Sequence, residues 1–537
     1  MSEERFDYIV VGGGSAGCIA AARLAEEAGA KVLLLERGEP AEANPETLRS
    51  DGYKDAFAND RVMLERFSEP QANAASQRIF LGSGAGMGGS GSVNGMVYTR
   101  GAREDYDEWP RGFRYDEIEP EFQAIEAKLR PNRRPPTRFT EAFIEAAERA
   151  GFRREDDLNR GDLSGVIGYE WMNFEGAKRR SSYVAFIKEA RLPTLTMRTG
   201  ALTTRVLFKD AGAQKDGDGR PRAIGVEYLI GGELRRAYAE REIVLAAGAL
   251  ETPKLLMLSG VGPIEELERH GIPLIAENRA IGSELLDHPN VPLFFAAKGE
   301  VDCDYPQLYG FHRANTASAL PPAQSDTCYV LYPFRSSFAE LATRMIPAKL
   351  LPESLYETRL RDLMRLAVRG AFSLELMNEI TKRLYGIIVI LGKPKSRGTL
   401  RLRSLDPAAH ALVDPRYLSH PEDQETALRG LERAREIAKH LAGEGNFELA
   451  PGSYLKSERA LIGYIERNLI TTYHYAGTVR LGEDERSGCD LKLRLRGVSG
   501  IRIADASAIP STPVSALNAP SMLIGYRAAS EMIQDGS

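Results

Sequence analysis

Residues 6–37 read FDYIVVGGGSAGCIAAARLAEEAGAKVLLLER. An apolar run, Tyr8 to Val11, meets three glycines, then an alanine-rich segment of helical character, then a second apolar run from Lys31 to Leu35. That order is strand, tight turn, helix, strand, the unit that lays two parallel strands side by side. Gly12, Gly14 and Gly17 fill the three positions of G-x-G-x-x-G: the first for the turn, the second for close approach of a pyrophosphate, the third for packing of helix on strand. Ser15 and Ala16 fall in the first turn of the helix, where free N–H groups and the positive dipole end face the phosphates. Glu36 closes the second strand nineteen residues past Gly17, where an acid accepts hydrogen bonds from ribose hydroxyls. A glycine turn alone would be weak evidence. Strand, helix, second strand and terminal acid together read as a dinucleotide site, without separating FAD from NAD.

At 537 residues the chain exceeds one core and is expected to form two domains. Its 43% hydrophobic and 27% charged content is that of a globular protein, and a net charge of −5 offers no nucleic-acid surface. The four cysteines, Cys18, Cys303, Cys328 and Cys489, are far apart and form no CxxC. That excludes a zinc ribbon or disulfide scaffold, gives no metal site, and suits a reducing compartment. The charged N-terminus runs into the first strand with no room for a signal peptide, and the strongest apolar stretch, Ile387 to Leu391, is far too short to span a bilayer. A cytoplasmic protein is expected.

Further segments carry a resemblance. Residues 86–109 read GMGGSGSVNGMVYTRGAREDYDEW, residues 248–263 read GALETPKLLMLSGVGP, and YHYAGTVRLG (473–482) precedes IRIADASAIPSTPVSALNAPSMLIG (501–525). Gly282, Leu286, Asp287, His288 and Pro289 spell a pattern ending in LxDHP, and PKSRGTLRLRS (394–404) and DPRYLSHPED (414–423) follow. In order and content these resemble the signatures of the glucose–methanol–choline (GMC) FAD-dependent oxidoreductases over nearly the whole chain, with a choline-dehydrogenase-like run of motifs. Departures occur. Ser83-Gly84-Ala85 stands where many members have Arg-Gly-Lys, Ser90-Gly91 replaces a double serine, and Tyr475 follows His474 where proline is common.

The resemblance implies an α/β fold with a Rossmann-like FAD domain and an α+β substrate domain built on an antiparallel sheet. It implies oxidation of a small-molecule alcohol by hydride transfer to flavin N5, with electrons passed on to a quinone-like acceptor or to O2. Two relatives of other chemistry, a hydroxynitrile lyase and a fatty-acid photodecarboxylase, remain as alternatives. His474 would be the base and Asn518 its hydrogen-bonding partner, 44 residues on and at the head of the last helix. Of the seven histidines only His474 has the family's catalytic context, and imidazole suits base chemistry near neutral pH. His288 reads as a structural residue of a loop beneath the cofactor. Gly88, Gly89 and Ser90 would let backbone approach the cofactor. Asn94 and Gly95, followed by Met96 and Val97, would lie at the reacting edge of the flavin. Thr203 would reach adenine, Ala247 and Gly248 would open the second signature against the cofactor, and Asp505 and Ala506 would meet the ribityl and pyrophosphate groups. Asn518 and Pro520 would close the site. Where some members bind flavin through a histidine this chain has Val93, so non-covalent FAD is expected.

The FAD domain is expected in pieces, 1–110, 200–295 and 455–537, with 111–199 and 296–454 forming the substrate domain. Over 341–385, Leu351, Leu355, Leu360, Leu363 and Leu366 recur at helical spacing among arginines. This reads as an amphipathic helix packed on the domain, with a substrate lid or a peripheral membrane patch as alternatives. The oligomeric state is open.

Overall fold

The computed structural model describes residues 4–209, 219–441 and 446–536. Its first sheet grows from the opening βαβ unit. Strand Glu4–Val11 pairs in parallel with Val32–Leu35 on one side and with Glu233–Leu245 on the other. Leu195–Arg198 extends the sheet beyond Val32–Leu35, and an antiparallel pair, Ala201–Phe208 and Ala223–Ile230, continues it past Glu233–Leu245. The far end of Glu233–Leu245 also pairs in parallel with Ile501–Ile503, so one strand ties the two ends of the chain together.

The alanine-rich helix Ser15–Glu26 lies between this sheet and the last helix, Asn518–Gly536. Its small side chains allow backbone contact: a Cβ on Gly525 would land on the Ala16 carbonyl. The glycine turn is just as tight. Gly12 sits at φ +105°, and a Cβ there would meet the backbone of Ala246 and Ala247, while one on Gly17 would strike the Gly12 carbonyl. The carboxyl ends of the parallel strands therefore converge on a surface of bare backbone, where ligands of such sheets bind.

The second sheet is almost wholly antiparallel. It runs in the order Phe447–Ala450, Pro289–Ala296, Leu384–Leu391, Thr327–Pro333, Leu308–His312, Val166–Tyr169, Arg153–Arg154, with Ile470–Thr471 beside Pro289–Ala296. Helix Pro421–His440 covers one face, and the other, carrying Tyr309, Cys328, Tyr332 and Ile390, faces the cavity.

Three elements sit across the expected boundaries. Leu195–Arg198 belongs to the first sheet although it lies within 111–199, and Pro289–Ala296 and Ile470–Thr471 belong to the second although all but Ala296 of them lie within 200–295 and 455–537. The leucine-rich stretch is also reversed from a packed amphipathic helix. In Arg359–Phe372 the leucines face outward and Arg365 faces inward, because Asp60 and Glu65 ion-pair with Arg344, Arg361 and Arg365 beneath it.

Candidate active site

One cavity of about 510 Å³ runs from the ends of the first sheet to the open face of the second. At the first sheet it is lined by Gly12, Gly14, Ser15, Ala16 and Glu36, by Gly89, Ser90, Asn94, Gly95 and Val97, and by Thr203, Ala247, Gly248, Asp505, Ala506 and Asn518. His474 lies on the same cavity. Four expected residues do not line it. Gly17 is consumed by the contact between helix and strand, and Gly88 holds its turn with its N–H donating to Gly13 O. Met96 is fully buried behind Asn94, and Pro520 is buried in the first turn of the last helix.

The surface suits a dinucleotide. Among its polar groups, Asn518 Nδ2, Thr203 Oγ1 and Ser515 Oγ are buried with no hydrogen-bond partner among the described residues. A Cβ on Gly95 or Gly248 would meet nothing within 4 Å, which leaves space beside bare backbone. Buried polar atoms are seldom left unpaired, so these donors and acceptors point to a polar ligand. Glu36 accepts from Gly13 N (2.8 Å), Gly38 N (2.7 Å) and Gly86 N (3.0 Å), which pins both glycine loops to the end of the second strand. Asp505 is likewise occupied by the protein, accepting from Gly248 N (2.8 Å), Thr252 Oγ1 (2.6 Å) and Ser507 N (2.8 Å). Its carboxylate thereby holds the backbone of Ser507 and of Gly248, which lines the cavity. Val93, where a flavin-linked histidine would stand, is buried on the cavity wall.

At the other end, His474 Nδ1 lies 2.9 Å from His288 Nδ1, with the rings edge to face. Burial pushes the His474 imidazole down to about 4 and, together with the neighbouring ring, holds His288 well below the usual histidine range. Both rings are therefore neutral at pH 7, and one must donate to the other. Asp287, the neighbour of His288, clamps the other strand of this corner. Its carboxylate accepts from His474 N (2.7 Å), Thr471 Oγ1 (2.6 Å) and the Tyr417 hydroxyl. Burial raises this carboxyl to about 6. The LxDHP segment thus fixes both the backbone and the ring of His474.

Asn518 and His474 share the cavity but not a hydrogen bond. Asn518 Oδ1 accepts from Ser15 Oγ at 2.9 Å, on the glycine-turn side, and its Nδ2 is left free. The ring partner of His474 is His288, which sequence reading assigns to a loop. Sequence reading also misses Arg179. This fully buried guanidinium donates to Gly91 O (3.0 Å), Asn94 Oδ1 (3.0 Å) and Asn94 O (2.8 Å), with no carboxylate among its described partners. Burial lowers it to about 9. It staples the Gly91–Asn94 loop against the cavity, and nothing in the local sequence signals that role.

Models of the GMC oxidoreductase family match residues 6–290 and 394–525. The chain belongs to this family. An uncharacterized GMC-type oxidoreductase of Mycobacterium tuberculosis is 34% identical, with 97% of this chain and 98% of that protein covered. An alcohol dehydrogenase [acceptor] of Pseudomonas putida is 30% identical over 98% of this chain and 96% of its own length. Choline oxidase of Arthrobacter globiformis is also 30% identical, over 98% and 94%. Among solved structures, pyridoxine 4-oxidase from Mesorbium loti superposes with a TM-score of 0.81 at 25% identity, covering 98% of both chains. GMC oxidoreductases are FAD-dependent, and the cavity described above, with its glycine turn and unpaired polar atoms, fits that cofactor.

Proposed function

We propose that this GMC oxidoreductase oxidises an alcohol to an aldehyde or ketone on non-covalently held FAD, with His474 as the base. The observation that carries the reading is the imidazole of His474, neutral, facing the cavity, and backed at 2.9 Å by a second neutral imidazole. Gly12, Gly14, Ser15 and Ala16 would hold the pyrophosphate, and Asn94, Gly95 and Val97 the flavin ring. Bound there, FAD supplies the two-electron sink for hydride.

The proton needs a specific tautomer. For His474 to accept the hydroxyl proton at Nε2, its hydrogen must sit on Nδ1, so His288 Nδ1 must be the acceptor. His288 is then a positioning residue: it orients the ring, fixes the tautomer and takes a hydrogen bond that strengthens when His474 becomes cationic. Asp287 keeps the His474 backbone from moving. Asn518 Nδ2 is a free donor for the alcohol oxygen as negative charge develops. Val93 supports non-covalent attachment, because valine cannot bond to the flavin.

For the acceptor, a quinone-like molecule is favoured over O2. Thr472 lines the cavity two residues before His474, and its hydroxyl accepts from Asn290 Nδ2 at 2.9 Å, so this wall is polar and satisfied. All four cysteines are buried and unbridged, which accords with work in the cytoplasm. Product analysis after anaerobic incubation with aliphatic, aryl, sugar and amino alcohols tests the reading. Aldehyde or ketone in proportion to bleached flavin supports it. Cyanide release from a hydroxynitrile, or light-dependent loss of CO2 from a fatty acid, without alcohol oxidation, overturns it.

A further inference from the structure

Helix Arg359–Phe372 is built inside out. Arg361, Arg365, Val368 and Phe372 share its inner face, and Arg365 is only 6% exposed against Asp60 and Glu65. Its outer face carries Leu360, Leu363, Leu366, Ala367, Gly370 and Ala371 at spacings of three and four. Leu363 and Leu366 are 63% and 67% exposed. The stripe continues through Leu374, Leu376 and Ile380, and Ile346, Leu350 and Leu355 lie in the neighbouring segments. Nine of the sixteen large apolar side chains exposed among the described residues therefore fall within 346–380. Isolated exposed leucines are ordinary, but a contiguous aliphatic stripe is an interaction surface.

We infer that this face docks on a phospholipid bilayer, lying in the interface without crossing it. Its chemistry selects that occupant. The stripe is leucine, isoleucine, alanine and glycine, whereas protein partners are usually gripped through tyrosine, tryptophan and arginine anchors. Among the described residues Arg359, Arg369 and Arg383 are exposed beside it and form no ion pair; Asp362 and Glu379 are tied to Arg361 and Lys382, and Glu357 and Glu375 are the free acids of the rim. Unpaired arginines around an aliphatic face match phosphate headgroups over acyl chains. No helix among the described residues is long and apolar enough to cross a membrane, so the contact is peripheral.

The patch also adjoins the catalytic cavity. Helix Phe334–Leu350 packs against Arg359–Phe372, and its own Ser337 and Leu341 line the cavity. Docking would place that wall at the lipid surface, where an apolar substrate or acceptor is concentrated. The docking itself stands independently of the proposed chemistry.

The test is flotation of the FAD-loaded protein with vesicles of phosphatidylcholine, and of phosphatidylcholine with phosphatidylglycerol. Wild type should float with the mixed vesicles, and more weakly with phosphatidylcholine alone. Leu363→Gln with Leu366→Gln should lower the partition coefficient by about 100-fold, roughly tenfold per buried leucine side chain. FAD content and melting temperature should stay unchanged. Flotation that survives the double substitution overturns the inference. So does a protein that ignores both vesicles, whether it stays monomeric or forms a dimer that the same substitutions dissolve.

Discussion

Replacing His288 with phenylalanine keeps the ring's shape but removes the acceptor 2.9 Å from His474 Nδ1. Both rings are buried, so no bulk water replaces the lost partner. In the ground state a buried Nδ1–H without an acceptor costs about 1–3 kcal/mol. When His474 takes up the hydroxyl proton, a hydrogen bond from a charged donor worth about 1.5–3 kcal/mol is missing. The part that acts only on the barrier is the excess of this charged bond over the neutral one lost in the ground state, about 1–1.5 kcal/mol, which corresponds to a fall of roughly 5- to 12-fold in flavin reduction. The assay is anaerobic stopped-flow bleaching with whichever alcohol reduces the wild type fastest. FAD content and the alcohol concentration giving half-maximal rate should be near wild type, because neither cofactor nor alcohol is held by His288 in this account. His288→Asn, which restores an acceptor oxygen, should recover part of the rate. A His288→Phe rate within about twofold of wild type would refute the tautomer argument.

His474→Ala should slow flavin reduction by about 10²–10⁴-fold while FAD stays bound, measured in the same instrument. In the wild type the reduction rate should hold level as pH falls from 8 to about 5 and drop only near 4, where burial sets the His474 pKa; a fall centred near 6.5 would contradict that burial. The same depressed pKa makes this imidazole destabilising in acid, since the unfolded ring binds a proton below about 6.5 and the folded one only near 4. Asp287, held up near 6, works the other way, so between about pH 6.5 and 4 the His474→Ala protein should lose less melting temperature than the wild type. Acid precipitation should release yellow FAD into the supernatant, and flavin that remains with the precipitate would show a covalent link. Gly12→Ala should cost about 2–5 kcal/mol, from left-handed strain of about 1–2 and overpacking against Ala246 of about 1–3, and should strip FAD from the protein, as a thermal melt and flavin fluorescence would report.

Much of the fold was legible because backbone demands leave marks in sequence. Gly12 and Gly17 can be read at their spacing because a Cβ at either would strike backbone, and the strands around them are short apolar runs. His474 and Asn518 were legible through the motifs that hold them, and both reach the cavity. What failed was tertiary. His288 meets His474 across 186 residues, so no local pattern could tell a loop histidine from a ring partner. Arg179 contacts Gly91 and Asn94 across more than eighty residues. In Arg359–Phe372 the spacing gives which residues share a face, but not which face turns inward. Asp60 and Glu65, some 300 residues earlier in the chain, decide that. The strand at Leu195–Arg198 joins the first sheet for a related reason: its partner, Val32–Leu35, lies some 160 residues earlier in the chain.

The claim that matters most is that an alcohol gives hydride to flavin while His474 takes its proton. It is tested most directly by anaerobic bleaching of oxidised flavin with an alcohol and with the same alcohol deuterated at the carbinol carbon. The account predicts bleaching by the light alcohol, a several-fold slower rate with the deuterated one, and near-complete loss of both in His474→Ala. Bleaching that is indifferent to deuterium at saturating substrate, and undiminished by loss of His474, would contradict it.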